Sequence, residues 1–145
     1  MPERETTNAN QVVYACVLAV VTPLGFATKF YAGPGATWVA ASAGGFFYVL
    51  FWVFVFLSLA PSSSPRTVAV WVLGGTSVLE LLQLWHPPFL EAIRSTFFGH
   101  ALIGSTFSWW DFAYYVLAAL AAPPLAHCAQ SCVSRAGGRL TSACS

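Results

Sequence analysis

The stretch GGFFYVLFWVFVFLSLA, residues 44–60, holds no charged side chain. A helix that is apolar on every side is covered either by the core of a large protein or by lipid. The chain has 145 residues, of which 57% are hydrophobic and 8% charged. Soluble domains carry roughly 25% charge. With so few polar side chains available to face water, a membrane protein is expected. Net charge is +1 with no basic block, which argues against nucleic acid as a partner.

Three further apolar segments accompany this one. Together they lie at about 12–27, 37–60, 67–85 and 109–126. A membrane crossing needs roughly 20 residues, with a tolerated range of about 17–25. On that measure the second and third segments qualify outright and the first is marginal. The fourth qualifies if Pro123 and Pro124 interrupt the helix without ending it. Arg4 lies between Glu3 and Glu5, so the positive start of a signal peptide is missing and the first segment is expected to be a retained span. The expected fold is all-α: a polytopic membrane protein with four transmembrane helices. A polar N-terminal segment (1–11) precedes the transmembrane domain (12–126), and a polar C-terminal tail (127–145) follows it.

The connection between the third and fourth spans carries a further helical pattern. Leu90, Ile93 and Phe97 share one face, and Glu91 and Arg94 share the other. This predicts a short helix lying in the membrane interface. If the spans alternate, Arg4, Arg66, Arg135 and Arg139 fall on one side and Lys29 and Arg94 on the other. The excess of basic residues places both termini in the cytoplasm of a bacterial inner membrane, or on the equivalent side of a thylakoid. Trp38, Trp85, Trp109 and Trp110 then gather at the opposite interface as an aromatic belt.

The unusual polar residues fall at the belt's side. Glu80 ends the third apolar run, and a carboxylate in hydrocarbon costs about 2.5–3.5 kcal/mol on insertion scales. It should face inward with a partner. Arg94 is the preferred partner, with Gln83 one turn on, Asp111 competing for the arginine, and Lys29 as a further member. The cluster Glu80, Gln83, Arg94, Asp111 and Lys29 reads either as a ligand site or as a structural clasp. Asp111 can also cap the helix that it opens. His86 and His100 are candidate pigment or ligand contacts, with an ordinary interface role as the favoured reading of each. Cys16 is expected to be a small core residue. Cys128 and Cys132, one helical turn apart, read as structural or lipid-modified in preference to metal-binding, so no metal site is assigned. Gly44 and Gly45 are expected to allow close helix packing.

The motif at 80–115, ELLQLWHPPFLEAIRSTFFGHALIGSTFSWWDFAYY, resembles a family of small bacterial membrane proteins catalogued as domain of unknown function 2809, similar in style to VanZ-like proteins. Glu80, Gln83, Trp85, Pro88, Phe89, Arg94, Gly99, Gly104, Phe107, Trp110 and Asp111 fill the family's pattern. The stretch KFYAGPGATWVAASAGGFFYVLFW, residues 29–52, resembles members from cyanobacteria in particular. The resemblance implies a fold and a polar motif, and no reaction. A glycine common in the family's last span is replaced in YVLAALAA, and the Cys- and Ser-containing tail departs from it.

No Gly-x-Ser-x-Gly, His-Glu-x-x-His or phosphate loop is present, so an enzyme is the less favoured class. The favoured reading is a non-enzymatic accessory or scaffolding subunit of a larger membrane complex, photosynthetic or respiratory assemblies included. Its partners would be membrane lipids and other membrane-protein subunits, with bound lipid expected and pigment a lesser option. The alternative is a binder, transporter or modifier of a lipid or small amphiphile, using the Glu80/Gln83/Arg94/Asp111 cluster at the outer interface.

Overall fold

The computed structural model describes residues 2–85, 87–96 and 108–143, with the side chains of 2–6, 41, 94 and 133–143 left undescribed. All regular structure among them is helical. Helix α1 spans Pro2–Phe30. A short α2, Ala36–Trp38, runs into a π-helical segment, Val39–Ala43, and then into α3, Gly44–Leu59. Helix α4 spans Pro65–Leu82, α5 Pro88–Arg94 and α6 Trp109–Ala143.

The turns have local causes. In Gly33-Pro34-Gly35, Gly35 takes φ 72°, a left-handed conformation that glycine adopts without steric cost. Pro65 and Pro88 each open a helix, where the missing N–H is not needed. The proline pair Pro123–Pro124 lies inside α6, which continues through it to residue 143. The pair therefore does not end the helix, although the carbonyls of Ala119 and Leu120 lose their usual i+4 donors.

Helix α3 is central. Helices α1, α4 and α6 all pack on it, α6 packs equally on α4, and α1 reaches α6 less extensively. The core is built from Val49, Leu50, Val53, Phe54 and Leu57 of α3, Val13, Tyr14 and Val21 of α1, and Ala69 and Val72 of α4. Helix α6 contributes Tyr115, Ala118, Ala119, Ala122 and Ala126, a stripe of small residues below one large one. The long helices alternate in direction. Gly25 near the end of α1 meets Phe47 at the start of α3, and Glu80 near the end of α4 meets Tyr115 at the start of α6.

Among the described residues two helices are long and apolar enough to cross a membrane, over Thr7–Phe30 and Trp109–Cys132. This reverses the ranking expected from the apolar runs. The second run is divided by the π segment, which leaves α3 only 16 residues. The third opens on Pro65-Arg66 and carries Gly74, Gly75, Thr76, Ser77 and Glu80, which dilute it. The first and fourth gain length because α1 begins at Pro2 and α6 extends beyond Ala126. Cys16 is also corrected. It is exposed, because α1 turns Val13, Tyr14 and Val21 inward and Cys16 away from them. The short helix after α4 is present as α5. Its Leu90 is buried but Ile93 is exposed, so the expected apolar face is only half engaged, and Phe97 lies outside the described residues.

Candidate functional site: a buried carboxyl at the start of the last helix

Glu80 is 1% exposed, the most deeply buried titratable acid among the described side chains. One turn beyond Thr76, it lies on the α4 face that also buries Ala69 and Val72. Both of its oxygens are engaged. The Ser108 backbone N–H donates to Oε1 at 3.0 Å. The Tyr115 hydroxyl donates to Oε2 at 2.8 Å, and Gln83 Nε2 donates to the same oxygen at 3.2 Å. Burying an ionisable group is costly unless it is hydrogen-bonded, and three donors supply that compensation.

The placement exploits the start of α6. Ser108 immediately precedes Trp109, so its N–H lies at the end of the helix where the dipole favours negative charge. Its carbonyl accepts from the Asp111 N–H at 3.1 Å, and its side chain hydrogen-bonds that of Asp111. Ser-Trp-Trp-Asp thus works as a helix start of the Ser-x-x-acid type. Asp111 is half-buried and lies within electrostatic reach of both Glu80 and Lys29.

Tyr115 is held in place from the α3 side. A Cβ at Gly45 would lie 2.9 Å from Tyr115 Cε1, closer than real Cβ atoms approach a neighbour. A Cβ at Gly44 would lie 3.2 Å from Lys29 Nζ. The two glycines therefore serve close packing, one against the tyrosine ring and one against the lysine. The π segment adds a further contact: Lys29 Nζ donates to the Ala40 carbonyl at 2.9 Å. A π turn disturbs the regular backbone ladder, and a lysine from α1 bonds to it there. The edge-on pair Trp38–Tyr114, with centroids 6.1 Å apart, links the end of α2 to α6.

This end of the molecule therefore gathers Glu80, Gln83 and Asp111, with Lys29 at its edge. Lys29 is tied to Ala40, not to Glu80. The described partners of Glu80 are Tyr115, Ser108 and Gln83, where Arg94 had been the expected one. Arg94 ends α5, and its side chain lies outside the described residues, as do His86 and His100. Trp38, Trp85, Trp109 and Trp110 are all exposed and all belong to this end. Among the described residues no cluster of three His, Cys, Asp or Glu side chains is placed to hold a metal.

Two of the groups that meet Glu80 were not expected as its partners from the sequence. Tyr115 could have been found from its register, since 115, 118, 119, 122 and 126 mark one helical face and the four alanines show which face packs. The Ser108 N–H contact has no sequence signal beyond the Ser-x-x-Asp start, because a backbone group carries no side-chain signature.

A family model for a protein of unknown function, DUF2809, matches residues 35–119. The chain belongs to the DUF2809 family. The matched region runs from the Gly35 turn through α3, α4 and α5 to the first third of α6. It contains Glu80, all three of its described donors, and Gly45. No curated protein and no solved structure matches the chain.

A second polar joint lies outside the DUF2809 region. Gln130 Nε2 on α6 donates to the Tyr14 hydroxyl on α1 at 2.8 Å, and Tyr14 is itself 1% exposed. An apolar groove of about 820 Å³ runs along the packed pair α3 and α4 to the turn that connects them. Trp52, Phe56, Trp71 and Leu79 are among its walls, and Glu80 is not. Its Thr76 hydroxyl is spent on the Val72 carbonyl at 2.9 Å.

Proposed function

We propose that this chain is an integral membrane protein with four membrane-crossing helices, and that it works as a non-enzymatic accessory or scaffolding subunit. The observation that carries the reading is the outward face of α1 and α6. Val20, Leu24, Phe26 and Phe30 of α1 and Leu117 and Leu120 of α6 are exposed, although the core is already filled by other faces. Only 22% and 28% of the two apolar windows is buried. A core helix of a soluble protein would be mostly covered, whereas these need an apolar surrounding. Four crossings return both termini to one side, and the arginine balance makes that side cytoplasmic.

The accessory role is supported by the engagement of Glu80. An acid whose two oxygens already accept three hydrogen bonds is suited to fixing helix register and poorly suited to proton transfer or ligand capture. For the same reason, binding of a lipid or amphiphile at the Glu80/Gln83/Arg94/Asp111 cluster is the weaker use of these residues. The apolar α3–α4 groove supports the role further, since Trp52, Phe56, Trp71 and Leu79 offer a surface on which an apolar partner can pack.

The test has two stages. Alkaline carbonate should leave the chain in the membrane pellet. On native gels of gently solubilised membranes it should migrate well above 15.6 kDa plus its detergent. Release by carbonate defeats the membrane reading; migration as a free small protein defeats the subunit reading.

A further inference from the structure

The first half of α4 and the middle of α6 enclose a second groove, of about 410 Å³. Val70, Leu73, Val116 and Leu120 make its walls apolar. Arg66 and His127 line the end where α4 begins. Among the described residues no hydrogen bond or ion pair engages the Arg66 guanidinium. The described acidic side chains, Glu80, Glu91 and Asp111, all belong to the opposite end of the molecule. Arg66, without a partner among the described side chains, therefore stands at the mouth of an apolar slot.

That combination is complementary to an anionic head joined to a hydrocarbon chain. Arg66 and Leu73 are seven residues apart, roughly 10 Å along the helix axis. Over that length a partner helix about 10 Å across would fill roughly 800 Å³, about twice the groove. A single hydrocarbon chain is slimmer than a helix and can lie in it.

We propose that the α4–α6 groove binds one anionic glycerophospholipid, with its phosphate on Arg66 and one acyl chain along Leu73, Val116 and Leu120. The proposal rests on the membrane reading above and uses none of the Glu80 cluster. Arginine suits the head because its planar fork matches phosphate oxygens two at a time. His127 adds a second polar contact at the same end.

The test is native mass spectrometry of the purified full chain in mild detergent, offered equal amounts of phosphatidylglycerol and phosphatidylcholine with identical chains. Phosphatidylglycerol should be retained about fivefold over phosphatidylcholine, the preference expected from one arginine near a lipid surface. Arg66→Gln should abolish the preference. Leu120→Trp, which fills the slot and leaves the cation, should reduce retention of both lipids. Equal retention by the native chain, or an unchanged preference in Arg66→Gln, overturns the proposal. So does a photoreactive residue at position 120 that captures polypeptide instead of lipid. These failures differ from failure of the membrane reading, because a chain that resists carbonate but shows no lipid preference loses only the groove.

Discussion

Two points along α6 tie it to its neighbours with different strength. Near its start, Glu80 of α4 is bound by a tyrosine hydroxyl, a backbone N–H and an amide. Fifteen residues beyond Tyr115, roughly 22 Å along the axis, a neutral bond joins Gln130 to Tyr14. The first joint centres on a titratable acid at a helix N-terminus; the second has no charge and no helix end. Hydrogen bonds to charged groups contribute about 1.5–3 kcal/mol, against about 0.5–1.5 for neutral pairs. The family region holds the first joint and excludes the second. The difference teaches that, among the described side chains, α4 meets α6 through an acid held by three donors, while α1 meets α6 through packing and the neutral Tyr14–Gln130 bond.

The most damaging change should be Glu80→Ala, which deprives three donors of their acceptor. A loss of about 3 kcal/mol is expected, since each buried unsatisfied polar group costs about 1–3 kcal/mol. Thermal unfolding in detergent, followed by circular dichroism, reads this directly. A melting curve matching the native chain would remove the basis of the comparison. Tyr115→Phe deletes one donor and keeps the ring, so about 2 kcal/mol is expected. Gly45→Ala comes next, at about 1–2 kcal/mol, because the new methyl must push the Tyr115 ring aside. Its cost should largely vanish in a Tyr115→Ala background. An undiminished cost there would show that Gly45 packs against something other than the ring. Gln130→Leu should have the smallest effect, about 0.5–1 kcal/mol. Were it to match Tyr115→Phe, the two joints would be equivalent and the asymmetry lost.

The spacing of apolar residues made much of this legible. The all-helical class, the four apolar segments and the inward Glu80 with Gln83 one turn on can each be read from the chain. The same holds for the tryptophans at one end and the close packing at Gly44–Gly45. These are properties of periodicity and burial cost, which depend on residues a few positions apart. The preference for Arg94 came from the same logic, since charge suggests opposite charge. Among the described residues the carboxyl is met by a phenol, a backbone N–H and an amide, none of which carries a charge that composition could reveal, and the Arg94 side chain lies outside them.

Residue order by itself determined that the chain is helical and too apolar for an ordinary soluble surface, and that Glu80 must turn inward. Tertiary structure alone decided which groups meet Glu80, because Ser108 and Tyr115 lie 28 and 35 residues away and only the antiparallel packing of α4 on α6 brings them together. It also decided that the second apolar run is split by a π segment and that the proline pair is carried within a continuous helix. Those outcomes depend on neighbouring helices that stabilise an irregular backbone, and no local propensity contains them.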